Sequence, residues 1–352
     1  MTILVTGGAG FIGSNFVLDW LADGDEPVVT VDKLTYAGNL RNLTSLDGDS
    51  RHHFIKAGIE DKAAIAAALD RYRIRAVVNF AAETHVDRSI DNPRAFVETN
   101  VVGTVALLEA VTAHWRHLLP AERETFRFLH ISTDEVFGAL GPGDPSFSET
   151  TPYRPNSPYA ASKAAADHLV RAFGATYRLP VLISNCSNNF GPYQFPEKLI
   201  PLVVSRALAG ETLPIYGDGR QVRDWLYVGD HCRALRLLLA QGRPGEHYVI
   251  GGDSERANIE VVREICAILD RLCPRADHRS YAAQIAFVTD RPGHDRRYAI
   301  DAGKLKAEFG WRPQEGFAAA LEKTVRWNLD HADWLAAVQS GDYRRWIAAH
   351  YV

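Results

Sequence analysis

The chain is predicted to fold as an α/β protein: a doubly wound parallel sheet with a smaller C-terminal lobe able to hold a substrate. Three observations predict it. An apolar strand pattern at residues 3–6 runs directly into a glycine-rich turn. Strand-like and helix-like runs then alternate as far as residue 185. The second strand, residues 28–31, ends in a carboxylate, Asp32. Repeated strand–helix–strand units of this kind place any site at the carboxyl edge of the sheet.

The turn reads Gly7-Gly8-Ala9-Gly10-Phe11-Ile12-Gly13, which from Gly8 onward is G-x-G-x-x-G. Glycines there let backbone amides approach a pyrophosphate at the N-terminus of the next helix, where the dipole favours anions. That helix is expected around residues 16–21. Asp32 follows Gly13 by about 20 residues, the separation that puts a carboxylate on ribose hydroxyls. A carboxylate would repel a 2′-phosphate, so the pattern favours NAD over NADP. Further strands are expected at residues 76–80, 126–132 and 181–185, with helices at 94–115 and 159–177. Beyond residue 185 the pattern breaks into proline- and aromatic-rich stretches such as Asn189-Phe190-Gly191-Pro192-Tyr193-Gln194-Phe195-Pro196. Residues 225–228 and the helix after Gly229 are expected to return to the sheet. The lobes are therefore expected to be discontinuous, 1–185 plus about 222–250 against about 186–221 plus 251–352. The segment 94–115 is apolar on more than one face and must be covered on most sides, either inside the domain or at a subunit interface. Aromatics at 327–346 read as core.

Composition narrows the classes of function. The chain has 352 residues, 46% of them hydrophobic, and a formal net charge of −4, with a pI near 6.4. That length can bury a large core, and that charge gives no sign of a nucleic-acid or membrane surface. Cys186, Cys232, Cys266 and Cys273 form no C-x-x-C pair, so buried reduced thiols are expected rather than a metal site or disulfides. A first strand starting at Ile3 leaves no room for a signal peptide, and no apolar run is expected to reach the length of a membrane span. A cytoplasmic protein is expected.

The chemistry concentrates at Ser132-Thr133-Asp134-Glu135, after a strand, and Tyr159-Ala160-Ala161-Ser162-Lys163, at the start of a helix. Ser157-Pro158 supplies an N-cap followed by proline at the first helical position. Residues four apart share a helix face, so the phenol and ammonium are expected to face one cleft. A nearby cation, and the positive ring of an oxidised nicotinamide, would favour the ionised phenol. A plain carbonyl reductase needs a hydroxyl, a phenol and a lysine. The added carboxyl pair suggests proton removal and expulsion of water beside a redox centre.

These residues, with Asp32-Lys33-Leu34-Thr35-Tyr36-Ala37-Gly38-Asn39, Ala81-Ala82-Glu83-Thr84-His85-Val86-Asp87-Arg88-Ser89, Asn185-Cys186-Ser187-Asn188-Asn189, Arg223-Asp224-Trp225 and Asp290-Arg291-Pro292-Gly293-His294-Asp295, resemble the extended short-chain dehydrogenase/reductases. Within them the chain is most similar to the nucleotide-sugar dehydratases that act on dTDP-glucose. The resemblance implies a Rossmann domain, a homodimer and bound NAD that is regenerated in each cycle. Tyr159, assisted by Lys163 and Thr133, would take the 4-hydroxyl proton as C4 is oxidised. Glu135 would remove the C5 proton, and Asp134 would protonate the departing 6-hydroxyl. It also implies cofactor contacts at Gly7, Gly10, Phe11, Ile12, Gly13, Asp32, Lys33, Thr35, Ile59, Ala81, Ala82, Thr99, Tyr159, Lys163 and Asn188. Substrate contacts are implied at Thr84, Thr133, Asn189, Lys198, Leu199, Tyr216, Arg223, Asn258 and His294.

The chain departs from the family pattern at four positions, one of them Thr84, which stands where serine is frequent and keeps its hydroxyl. Gly58 stands where an aspartate is usual near the adenine, and Phe137 and Phe190 replace tyrosines. The alternatives are a nucleotide-sugar 4-epimerase, which has no need of Asp134 and Glu135, and a non-catalytic NAD-sensing protein, which has no need of a proton relay.

Overall fold

The structure, a computed structural model, describes residues 1–290 and 292–339. Arg291 of the Asp-Arg-Pro-Gly-His block and Trp346 of the aromatic tail lie outside the described residues.

The apolar runs of the first half become parallel strands because nearly every residue in them is covered. β1 (Thr2–Thr6) and β2 (Val28–Asp32) are buried at every position, as strands shielded by helices on both faces must be. With β3 (His52–Lys56), β4 (Ile74–Asn79), β5 (Arg127–Thr133), β6 (Val181–Cys186) and β10 (His247–Ile250) they form a seven-stranded sheet in the order β10-β6-β5-β4-β1-β2-β3. Every pairing in it is parallel. Alternation along β1 sends Ile3 and Val5 into one core and Leu4 into another. The first core takes Phe16 and Val17 of helix Phe11–Asp23 and Leu235 of helix Val228–Gln241. The second takes Leu69 of helix Lys62–Arg71, Leu107 of helix Thr104–His117 and Val170 of helix Pro158–Tyr177. Strand order reverses between β1 and β4, opening a crevice at their carboxyl ends.

The second half adds a three-stranded sheet, β7 (Asn188–Phe190), β9 (Val222–Tyr227) and β11 (Glu255–Ala257), and a two-stranded one, β8 (Leu213–Tyr216) and β12 (Ile285–Val288). Residues 225–227 thus belong to the small sheet rather than returning to the large one. The reason lies in the side chains. Trp225 and Tyr227 turn toward a core with Phe190 and Phe317, while Leu226 turns toward the core of the large sheet. β9 is a wall shared by two cores, and the seventh strand of the large sheet is β10.

The segment expected as one helix at 94–115 is a continuous run of three pieces, Pro93–Phe96, the π-helical Val97–Gly103, and Thr104–His117. Val97 and Val102 are 47% and 57% exposed, so it is not wholly buried. Pro93–His117, 25 residues long with an 18-residue window of mean hydropathy 1.3, does reach the length and composition of a span, contrary to expectation. Its apolarity has a local cause: 56% of the apolar window is buried inside the protein, and Thr104–His117 packs between Lys62–Arg71 and Pro158–Tyr177. The aromatics Trp327 and Trp334 pack with Tyr193 and Phe195 as core. All four cysteines are free, but Cys273 is exposed, which corrects the expectation of four buried thiols.

Candidate active site

The glycine turn is shaped by contacts that exclude a side chain. Gly7 has φ +66°, and a Cβ there would lie 2.7 Å from the Ala81 amide nitrogen. A Cβ on Gly13 would lie 2.3 Å from the Gly7 carbonyl oxygen. Helix Phe11–Asp23 starts with no side-chain cap and no acid in its first turn, so its N-terminal amides remain available to an anion. At the end of β2, Asp32 accepts from the amides of Ala9 (3.0 Å) and Leu34 (2.8 Å). Burial raises its pKa and these two bonds pull it back. The carboxylate is thereby oriented, with acceptor capacity left for ribose hydroxyls. Gly7, Gly10, Phe11, Ile12, Gly13, Asp32, Lys33, Thr35, Ile59, Ala81, Ala82, Thr99, Tyr159, Lys163 and Asn188 line one cleft. Amides without side chains at one end and a carboxylate at the other suit a dinucleotide. Among the described residues no cluster of ligating side chains could hold a metal ion.

At Gly58 the space that a side chain would fill is taken by a residue two positions away. A Cβ there would lie 2.2 Å from Oε2 of Glu60. Glu60 pairs with Lys33, and both line the cleft. A carboxylate therefore stands over Gly58. Phe137 packs with Phe147 and Tyr153, and Phe190 with Trp225, Tyr227 and Phe317. Both lie in apolar surroundings where a hydroxyl would need a partner.

The proposed proton carriers meet where β5 ends and helix Pro158–Tyr177 begins. Ser157 caps that helix by accepting from the Ala160 amide (3.1 Å), with Pro158 at its first position. Tyr159 and Lys163 consequently point into the same cleft as Thr133, Asp134 and Glu135. Thr133 Oγ1 accepts from the Glu135 amide and donates to Asp134 Oδ1, both at 3.3 Å. Asp134 is buried, and its Oδ2 has no hydrogen-bond partner among the described residues. Burial first, then the charges of Glu135 and Asp224, push its carboxyl well above the usual range, against a smaller pull from Arg223 and Thr133. These surroundings favour the protonated form of Asp134. Burial and Glu135 also hold the Tyr159 phenol above its ordinary value, while the nearby Thr133 hydroxyl acts in the lowering direction. Lys163 donates to the Ile131 carbonyl at 2.7 Å, and burial lowers its pKa.

Of the expected substrate contacts, Thr84, Thr133, Asn189 and Lys198 line the cleft with Asp134, Glu135, Tyr159 and Lys163. Leu199, Tyr216, Arg223, Asn258 and His294 lie outside that lining. Leu199 and Asn258 open the helices Leu199–Leu208 and Asn258–Leu272. Tyr216 donates to Asp87 (3.3 Å) and meets the His294 ring edge-on at 6.0 Å. Arg223 donates to the carbonyls of Val222 and Asp295 (2.7 and 3.0 Å) and lies over the Tyr298 ring. Sequence reasoning missed Asn100, in the π-helical turn. It accepts from the Glu83 amide and donates to the Glu83 carbonyl and to Ser162 Oγ, tying the 81–85 segment to the helix of Tyr159. A polar residue within an apolar run was its only signal.

Fold and site define a class: a Rossmann-fold enzyme of the extended short-chain dehydrogenase/reductase type, with two adjacent carboxyl side chains beside its tyrosine and lysine. Residues 4–324 match the family described as GDP-mannose 4,6 dehydratase, and the chain belongs to that family. It is 61% identical to a dTDP-glucose 4,6-dehydratase of Xanthomonas campestris pv. campestris (strain B100), covering 97% of each chain. Among solved structures it is similar to the dTDP-glucose 4,6-dehydratase of Streptomyces venezuelae with NAD bound, at TM-score 0.87 and 45% identity, over 96% of this chain and 100% of that one. The UDP-glucose 4-epimerase of Thermus thermophilus, in complex with NAD, reaches TM-score 0.81 at 30% identity, over 94% and 100%.

Proposed function

We propose that the enzyme is an NAD-dependent hydro-lyase that converts dTDP-glucose to dTDP-4-keto-6-deoxyglucose and water, a step of deoxysugar biosynthesis such as a route to dTDP-rhamnose. The observation that carries the reading is the pair Asp134 and Glu135 in one cleft with Tyr159 and Lys163. Epimerisation at C4 has no use for a second acid and base. The higher identity to dehydratases than to the epimerase supports the same choice.

NAD, held by the Gly7–Gly13 turn and Asp32, would supply the acceptor and donor of the hydride, and its pyridinium charge would oppose the burial that holds Tyr159 neutral. Tyr159 accepts the proton of the 4-hydroxyl, with the Thr133 hydroxyl fixing the oxygen and Lys163 supplying positive charge. The 4-ketone acidifies C5, and Glu135 takes that proton. Asp134, held protonated by burial and by Glu135, gives its proton to the departing 6-hydroxyl, which leaves as water. Hydride at C6 and a proton at C5 then restore the saturated ring. Lys198 and Arg223 are the cations for the diphosphate, Tyr216 a platform for the base, and Thr84, Asn189, Leu199, Asn258 and His294 complete the substrate contacts.

The division into a cofactor lobe, residues 1–185 with helix Val228–Gln241 and β10, and a substrate lobe that takes the small sheet of β9, belongs to the same proposal. So does a homodimer through the long helices, supported by the exposed Val97 and Val102 along the run Pro93–His117. Four free thiols fit a reducing compartment, and we place the enzyme in the cytoplasm. Incubating the protein with dTDP-glucose and catalytic NAD tests the reading. A product lighter by one water, with no net NADH and with the alkali-induced absorbance of a 4-keto-6-deoxy sugar, is expected. Unchanged mass with a new C4 epimer would make it an epimerase, and no turnover would leave a binding protein.

A further inference from the structure

The proposed reaction requires an ammonium on Lys163 inside the protein, and burial opposes one. We propose that Asp167 is the buried counter-ion of Lys163, a positioning residue for the tyrosine–lysine pair, held in place by a chain of polar side chains that crosses the sheet from β1 to β6. This inference rests on the reading of function given above.

Tyr159, Lys163 and Asp167 follow one another at intervals of four along helix Pro158–Tyr177 and share one face of it. Asp167 is 2% exposed. Its Oδ2 accepts from Ser132 Oγ (2.8 Å), the Tyr153 hydroxyl (2.9 Å) and Asn185 Nδ2 (3.1 Å). Its Oδ1 lies 3.4 Å from His130 Nε2, which lies 3.4 Å from Lys163 Nζ. On the far side of the ring, Nδ1 is 3.0 Å from Asn79 Nδ2, and Asn79 Oδ1 accepts from Thr6 Oγ1 at 2.6 Å. With the Asn79 amide so oriented, His130 Nδ1 is an acceptor and the ring proton sits on Nε2, the nitrogen between Lys163 and Asp167, while Asp167 Oδ1 itself has no hydrogen-bond partner among the described residues.

The charges in this cluster follow from its contacts. Burial, and then Lys163, lower the His130 pKa to about 4, so the ring is neutral at neutral pH. Burial tends to raise Asp167, but His130, Lys163 and Ser132 together hold it below its ordinary value, so it is ionised. Burial lowers Lys163, and Asp167 is the largest influence in the other direction.

The remaining titratable groups around the pair carry little compensating charge. From β6, Cys186 is pushed up to about 12 by burial and stays a thiol. From β10, burial lowers His247 and leaves it neutral. From the segment before the helix, Tyr153 is raised by burial and by Asp167. Beyond β5, Asp134 is held protonated, and Tyr159 is the phenol that the ammonium serves. Asp167 is the ionised carboxylate whose role the reaction does not otherwise use.

An amide at 167 keeps the shape and loses the charge, so the variants Asp167→Asn and Asp167→Glu separate the two. Each holoenzyme is assayed in single turnover with dTDP-glucose, following the reduced nicotinamide as C4 is oxidised, across pH. In Asp167→Asn the alkaline limb, where Lys163 loses its proton, is expected at least about one pH unit lower. Asp167→Glu is expected to keep the limb near its original place. An Asp167→Asn enzyme with an unmoved limb, whether slower throughout or not, overturns the proposal, because a purely structural residue changes stability and rate without moving a titration. Should Asp167→Asn fail to fold, Asp167→Ser, which leaves space for water beside the three donors, reads the same limb. If the unmodified enzyme fails to oxidise the sugar at all, the reading of function falls, and that result is distinct from an unmoved limb.

Discussion

Asp134 and Glu135 are neighbours in the chain with different surroundings, and that difference separates their tasks. Asp134 is buried with one carboxyl oxygen unpartnered among the described residues, and it is kept protonated. Glu135 is half-buried and contributes to that protonation by its charge. Glu135→Gln should therefore leave oxidation at C4 intact and slow the elimination by about 100- to 10,000-fold, so that the reduced cofactor accumulates in a single turnover. A variant that never reduces the cofactor would place Glu135 in the first step instead. At the adenine end, Glu60 stands over Gly58. Glu60→Ala is expected to weaken NAD retention by about tenfold, roughly the contribution of a charged hydrogen bond, measured as cofactor remaining after gel filtration. Equal retention would mean that Glu60 serves only Lys33.

At the scale of elements, helix Pro158–Tyr177 carries Tyr159 in its first turn, so its cap is part of the site. Ser157→Ala should cost about 1 kcal/mol of stability and lower turnover by more than the melting shift explains, since the phenol's position depends on that turn. Unchanged turnover would show that packing against β5 alone places Tyr159. The elements that were legible in sequence are those whose physics is local. β1, β2, β4, β5 and β6 read as short apolar runs because both their faces are covered. β3 was missed because it is an edge strand with two histidines and a lysine, only half-buried. β9 was assigned to the wrong sheet because alternate residues face two different cores, and no local pattern distinguishes which sheet such a strand joins. The glycine turn and the Tyr159–Lys163 spacing were equally local. Asn79, His130 and Asp167 were not, since what joins them is pairing of β4 with β5 and packing of a helix more than thirty residues on. Asn79, polar at the end of an apolar run, was the one visible sign.

For the molecule as a whole, burial of titratable groups links the site to stability. His231 donates from Nδ1 to Asn189 Oδ1 at 2.9 Å, and burial lowers its pKa to about 3. Its unfolded form binds a proton near pH 6.5, so below that pH the unfolded state holds more protons than the native one. Stability then rises with pH across the interval from about 3 to 6.5. On going from pH 7 to pH 5 this residue should cost about 2 kcal/mol. In His231→Gln, chemical denaturation at the two pH values should show that loss reduced by a similar amount. An identical slope would mean that His231 titrates normally in the native protein.

The central claim is that one chain oxidises C4, removes water across C5 and C6, and returns the same hydride to C6. Dehydration of dTDP-glucose carrying deuterium at C4 tests it most directly. The account requires the label at C6 of a 4-keto-6-deoxy product, with no loss to water. Label returned to C4 of an isomeric sugar, or released to the solvent, would contradict it.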